Sequence, residues 1–320
     1  MKVIFLFIDG VGLGPATADN PFVRLRLPFM EKRLGGPLSR RTPPFWRREE
    51  AFFPADATLG VAGLPQSATG QTTIFTGQNA ARHMGRHVSG FPLARLRRLL
   101  EAGNLFSWLV ERGKRCVFAN AFTPEFFQLR STRRGWVSCS TRAAWTAGLS
   151  LRTLDDLAAG QAVFHDLTRF WYRTRQPETS VPLITPQEAA DHLLSLCHEH
   201  DFVFHEFFLT DVAGHAQDFS LLQAVLEQYD SFLQALEAAR PPHVTWVLLS
   251  DHGNCEDLSV KTHTANPVPV WISGPGAAKL GRPVEDLTDV APSVMRMFDL
   301  PWPNRDWEMP TADQGKEVSD

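Results

Sequence analysis

Short apolar runs alternate with stretches of helical period along most of the chain. The runs Val3–Ile8, Cys116–Asn120, Phe202–Leu209, Val244–Ser250 and Val268–Ile272 are rich in Val, Ile, Phe and Leu and carry few polar positions. Runs of this length, apolar on both sides, suit strands covered by helices on each face. Helical period occupies Thr69–Thr76, Asn104–Arg112, Pro186–Glu199, Ser220–Ala239 and Asp289–Phe298. Gly77 and Gly113 fall where C-terminal glycines belong, and Thr185-Pro186-Gln187-Glu188 places Thr at an N-cap and Pro at the first helical position. The alternation predicts an α/β fold with a mostly parallel sheet sandwiched by helices.

Two stretches break the rhythm. Arg24 to Arg48 is basic, bears prolines and has no clean period. Thr123 to Pro182 is rich in Arg, Trp and Thr, with an amphipathic stretch near Leu154–Arg173. The second is expected to be a small inserted cap, residues 123–182, in a core made of residues 1–122 and 183–310. Residues 311–320 are expected to be a solvated tail.

Composition narrows the class without naming a chemistry. The 320 residues are 43% hydrophobic and 21% charged with a net charge of −3, a globular mix able to bury a core. A slightly acidic total argues against a nucleic-acid partner. The first apolar run stops at Asp9, far short of the ~20 residues a spanning helix needs, and no signal-peptide pattern is present, so a soluble cytoplasmic protein with no membrane partner is expected. Four scattered cysteines, Cys116, Cys139, Cys197 and Cys255, do not form a disulfide framework and read as buried reduced thiols. Of the 32 basic residues 26 are Arg, which suits oxyanion recognition but would also follow from codon bias.

Metal-type ligands recur at the ends of the predicted strands. Phe7-Ile8-Asp9-Gly10-Val11-Gly12 is a strand ending in Asp and then glycines. Asp211-Val212-Ala213-Gly214-His215 sets an acid and an imidazole four apart with Gly at the bend, and Asp251-His252-Gly253-Asn254 follows another strand directly. His263-Thr264-Ala265-Asn266-Pro267-Val268-Pro269 precedes the last one. Taken singly, an Asp-Gly after a strand is usually a turn, and a lone His is usually a satisfied core or surface residue. Three Asp and three His at the sheet edge where α/β proteins bind ligands are a different matter, because carboxylate oxygen and imidazole nitrogen suit Zn²⁺ and Mn²⁺.

Ser67 stands at the predicted start of a short helix that ends at Gly77. A helix N-terminus offers free N–H groups to an alkoxide or a phosphate oxygen, although the same position suits a plain N-cap. The chain has neither a Gly-x-Ser-x-Gly elbow nor a Gly-x-x-x-x-Gly-Lys loop, which removes the main support for serine-hydrolase and P-loop chemistry.

In this order the segments Asp9-Gly10-Val11-Gly12, Asp211-to-His215, Asp251-to-Asn254, His263-to-Pro269 and Leu287-to-Ser293 resemble the alkaline phosphatase superfamily. They are most similar to the metalloenzyme domain of cofactor-independent phosphoglycerate mutase and phosphopentomutase. The resemblance implies an alkaline-phosphatase-like fold and two divalent ions, Mn²⁺ or Zn²⁺. Asp211, His215 and His263 would hold one ion, and Asp9, Asp251 and His252 the other, with the nucleophile oxygen bridging toward it. It implies Ser67 as nucleophile, with Thr72 and Thr69 as runners-up, and a small phosphorylated substrate. Arg82, His83, Arg130, Arg133 and Arg134 are candidate phosphate or cap contacts. The short insertion favours hydrolysis of a phosphate ester through a phosphoserine; a phosphomutase of the phosphoglycerate or phosphopentose type, or a non-catalytic relative that binds a phosphorylated ligand, are the alternatives. The sulfatase signature is absent after Ser67.

Overall fold

The computed structural model describes residues 1–132 and 136–303. Seven strands form one sheet: β1 (Lys2–Ile8), β2 (Phe45–Trp46), β3 (Glu50–Ala55), β4 (Cys116–Phe118), β5 (Phe202–Phe207), β6 (Val244–Leu249) and β7 (Val268–Ser273). They lie in the order β2-β3-β7-β6-β1-β5-β4. Strands β6, β1, β5 and β4 are parallel neighbours, while β7 runs antiparallel to both β6 and β3, and β2 antiparallel to β3. The sheet is therefore mixed. The five expected strands are all present, and the unexpected pair β2–β3 extends the antiparallel side.

Strand β1 sits centrally and is buried on both faces. Val3, Phe5 and Phe7 enter one apolar cluster with the helices Ser67–Thr76, Ala94–Ala102, Leu105–Glu111 and Val290–Met297. Ile4, Leu6 and Ile8 enter a second cluster on the other face with Pro28–Leu34, Pro186–Glu199, Leu209–Ala216 and Phe219–Ala239. This two-residue alternation is what a central strand between two helical layers requires.

Helix boundaries follow local chemistry. Thr185 caps Pro186–Glu199 in a reciprocal box with Glu188, and Gly77 closes Ser67–Thr76 in the left-handed conformation at φ 63°. The Arg24–Arg48 stretch is tied into the fold: the Arg33 guanidinium bridges Glu50 at 2.7 Å and Glu237 at 3.1 Å, and Arg24 lies 3.8 Å over the Phe219 ring.

The 123–182 segment holds the helices Pro124–Thr132, Cys139–Thr146, Leu154–Ala158 and Phe170–Arg175. The amphipathic stretch expected at 154–173 is thus two short helices. Cys139, Ala143 and Ala144 pack into the first apolar cluster, and Leu157, Ala162, Phe164 and Val181 gather in a small one of their own with Ala121. All four cysteines are free and buried. Among the described residues no helix is long and apolar enough to cross a membrane. The expected tail at 311–320 lies outside the described residues.

Candidate metal centre

The sheet topology decides which chain ends meet. Asp9 follows β1, the helix Leu209–Ala216 follows β5, and Asp251 and His252 follow β6. These strands are parallel, so their carboxyl ends share one edge. His263 precedes β7 in sequence, and it reaches the same edge only because β7 is antiparallel to β6. An isolated antiparallel bridge between Gly253 and Thr264 joins the two loops there. Asp211 and His215 lie on a helix, not on a bend as the sequence suggested; i and i+4 positions place both on one face. Gly214 is instead a packing requirement, since a Cβ there would come 2.5 Å from Asn254 Oδ1.

The side chains converge in two sets around adjoining points. His252 Nε2 lies 3.3 Å from Asp9 Oδ1, 3.5 Å from Asp251 Oδ2 and 2.9 Å from Ser67 Oγ. His215 Nε2 lies 3.1 Å from His263 Nε2 and 3.5 Å from Asp211 Oδ2, and His263 Nε2 is 3.7 Å from Asp211 Oδ1. The ring of His252 stacks on that of His263 at 3.7 Å, so the two sets are contiguous. Donor atoms of Asp9, Asp251 and His252, and those of Asp211, His252 and His263, each fall within 4.8 Å of one another. His252 is thus placed to serve either set.

The donor set fits divalent cations. Donors held ~2.0–2.2 Å from a tetrahedral ion are roughly 3.3–3.6 Å apart, close to the separations in both sets. Nδ1 of His215 faces Lys261 O at 2.9 Å and Nδ1 of His263 faces Pro65 O at 2.8 Å. A carbonyl can only accept, so each Nδ1 carries the proton and the two Nε2 lone pairs point at each other, an arrangement that a cation between them would relieve. Asp9 Oδ1 and Asp251 Oδ1 are buried without a hydrogen-bond partner. Burial, then repulsion from Asp251, Asp211 and Glu206, holds the Asp9 carboxyl well above the usual range; burial and Asp211 push Asp251 up to about 8. Burial, with His263 and His215 nearby, keeps the His252 imidazole neutral far below its ordinary pKa. Repelling carboxyls beside neutral imidazoles are the environment a divalent ion stabilises.

Ser67 is the first residue of its helix and Gln66 the N-cap, so the plain N-cap role does not apply. The helix lies directly on the β6 loop: a Cβ on Gly70 would meet Asp251 O at 2.8 Å. Of the three candidate hydroxyls only that of Ser67 faces the ligands. Thr72 Oγ1 is buried 3.5 Å from Cys139 Sγ, and Thr69 Oγ1 donates to Gln66 O. Arg82 and His83 sit on Ala80–Met84, which folds back along the Ser67 helix through the Ala80 N–H to Thr73 Oγ1, and the charges that depress His83 after burial are Arg95 and Arg98. Neither is among the hydrogen-bond or ion-pair partners of the ligand side chains in the described residues. Arg133, Arg134 and the Arg130 side chain lie outside the described residues.

Sequence reading missed three residues around the cluster. Asn254 Nδ2 donates to Asp211 Oδ1 at 2.7 Å and fixes that carboxylate. Glu206 on β5 is partly buried, accepts from Ser140 Oγ at 2.8 Å, and is pushed up to about 7 by desolvation. Glu256 is fully buried behind the loops. A Glu inside the apolar run Phe202–Leu209 was the one available signal for Glu206.

Residues 176–301 match the sequence model of the Metalloenzyme superfamily. A 2,3-bisphosphoglycerate-independent phosphoglycerate mutase of Cereibacter sphaeroides is 34% identical over 140 residues, 40% of this chain and 26% of the mutase. One from Desulforudis audaxviator is 30% identical over 129 residues, 38% and 25% of the two chains. The chain thus spans about a quarter of the length of the curated relatives it matches. Among solved structures, a Pyrococcus horikoshii protein superposes with a TM-score of 0.56 at 16% identity over 93% of this chain and 96% of that one. Thermus thermophilus alkaline phosphatase superposes at 0.52 and 12% identity over 94% and 92%. Residues 176–301 thus carry the metalloenzyme match, and the fold as a whole is alkaline-phosphatase-like.

Proposed function

We propose that the chain is a two-metal phosphoryl-transfer enzyme that hydrolyses a small phosphate ester through a phosphoserine at Ser67. The observation that carries this reading is the approach of Ser67 Oγ to 2.9 Å from His252 Nε2, where Asp9 and Asp251 also converge. In it, Asp211, His215 and His263 hold one ion, and Asp9, Asp251, His252 and Ser67 Oγ the other. Two divalent ions so held would make a serine hydroxyl acidic enough to attack and would neutralise charge on the phosphoryl oxygens.

The residues supply the rest. Ser67 Oγ attacks phosphorus opposite the leaving oxygen; its bond to phosphorus forms as the ester P–O bond breaks, and the alcohol leaves with a proton. Water then adds to the phosphoserine, freeing inorganic phosphate and restoring the hydroxyl. Ser67 begins a helix, whose positive dipole end favours the incoming oxyanion. The ligand sets differ in exposure: the His252 and Asp251 side chains are wholly buried, while that of His215 is 47% exposed. Substrate would enter from the His215 side, under a cap formed by part of residues 123–182. Mn²⁺ and Zn²⁺ both suit this donor set, and a cytoplasmic setting is part of the same reading.

One observation favours a mutase: the relatives matched in sequence are phosphoglycerate mutases. In that chemistry a second hydroxyl of the retained substrate takes the phosphoryl group, which demands exclusion of water. Turnover of p-nitrophenyl phosphate with Mn²⁺ or Zn²⁺, before and after chelation, tests the enzyme. Ser67→Ala is expected to abolish release of nitrophenol, by 10³-fold or more by analogy with other lost nucleophiles. Activity that survives Ser67→Ala and is lost in Thr72→Ala would reassign the nucleophile. Isomerisation of a phosphoglycerate or phosphopentose without free phosphate would establish the mutase.

A further inference from the structure

Glu256 is a charged side chain with no exposed surface and no Lys, Arg or His within ion-pairing distance among the described residues. Burying a carboxylate in this way is costly unless hydrogen bonds saturate it. Here four donors do so. Oε2 accepts from Gly12 N–H at 3.0 Å and Asn254 N–H at 2.7 Å. Oε1 accepts from Asn266 Nδ2 at 2.8 Å and from the Thr264 hydroxyl.

Each donor belongs to a loop that carries candidate ligands. Gly12 is three residues after Asp9, Asn254 two after His252, and Thr264 and Asn266 one and three after His263. Asn254 in turn donates to Asp211. Glu256 therefore touches none of the converging donor atoms yet is hydrogen-bonded to every loop that presents them after β1, β6 and before β7. The chain makes room for it with glycine: a Cβ on Gly12 would come 2.2 Å from its Oε1, one on Gly253 2.3 Å from the same atom, and one on Gly14 2.8 Å from its Cγ.

We propose that Glu256 is a positioning residue for the metal centre, a single carboxylate that sets the spacing between Asp9, the Asp251–His252 pair and His263. This rests on the metal-binding reading given above. Its neutral isostere cannot replace it, because both oxygens accept from two donors each, and an amide would turn an NH₂ toward one of those pairs. The glycines beside it leave no space for the loops to readjust.

The test is divalent-ion affinity, measured by calorimetry with Mn²⁺ on chelator-treated protein whose near-ultraviolet circular dichroism shows it folded. Glu256→Gln is expected to weaken Mn²⁺ binding 10–100-fold, the usual effect of losing a partner behind the ligands. Thr264→Val, which removes one donor and leaves the charge, is expected to weaken it several-fold, and stands alone as the test if Glu256→Gln does not fold. A purely structural role would lower the melting temperature of both variants and leave the affinity of the folded protein within twofold of wild type; that result overturns the positioning role. Wild-type protein that binds no Mn²⁺ or Zn²⁺ overturns it as well, and also the metal-binding reading, which the first failure would leave intact.

Discussion

Gly10 shows at the residue scale how closely the ligand loops approach. Its φ of 70° is in the left-handed region, and a Cβ there would stand 2.7 Å from Asp211 Oδ1. Gly85 has a similar φ of 72° with nothing within 4 Å of a Cβ. Alanine at either position should cost roughly 1–2 kcal/mol of backbone strain in chemical denaturation. Only Gly10→Ala should also weaken Mn²⁺ binding, by about tenfold or more; equal effects of the two variants on binding would show that the clash is relieved elsewhere. The residues legible in the sequence were those whose chemistry is their own: Asp9, Asp211, His215, Asp251, His252 and His263 are ligand types at strand ends. Glu256 and Asn254 were not, because their roles come from hydrogen bonds spanning up to 244 positions along the chain, which no local pattern encodes.

Among the elements, long periodic segments were legible and short or irregular ones were not. Pro186–Glu199 has the bounds its pattern predicts, since cap, proline and apolar spacing agree. Its cap should be separable from the chemistry: Thr185→Ala is expected to cost about 1 kcal/mol of stability and leave phosphate release unchanged, because Thr185 and Glu188 are satisfied by each other at the surface. Strands β2 and β3 escaped notice for physical reasons. The first has two residues, and the second carries Pro54, a residue that argues against a strand interior. Pro54 is tolerated because β2 pairs only with Ala51 and Phe52 and leaves that end of β3 unpaired on its outer side. The direction of β7 was equally hidden. An apolar run buried on both faces reads alike in either direction, yet His263 reaches the centre only in the antiparallel one.

Over the whole molecule the proposed centre would couple proton and metal binding to stability. In metal-free protein the Asp251 carboxyl, at about 8, and Asp9, raised by burial and its acidic neighbours, retain protons that the unfolded chain has shed by pH ~4–5. A folded-state carboxyl pKa above the unfolded value means stability lost as pH rises through that interval, from about 4 toward 8. Divalent ions require those groups ionised, so they recover the loss where it is greatest. The rise in melting temperature on adding Mn²⁺ is expected to be larger at pH 8 than at pH 5. At 100 times its dissociation constant an ion contributes about 2.7 kcal/mol, on the order of 5 °C for a chain of this size. A thermal shift that is the same at both pH values would show that these carboxyls do not take up the ion.

The central place of β1 bears on biosynthesis. Its partners begin at Phe202 on one side and Val244 on the other, so the second flank is about 240 residues downstream. At ~5–20 residues per second the ribosome needs on the order of 10–50 s to supply it. Until Phe202–Phe207 emerges Val3–Ile8 has neither of its sheet neighbours, and until Val244–Leu249 emerges it has only one; such exposed apolar segments aggregate. The chain is therefore expected to occupy a holding chaperone during synthesis. Stalled nascent chains ending before Phe202 should leave β1 amides unprotected from hydrogen exchange, whereas chains extended past Ser273 and released should protect them.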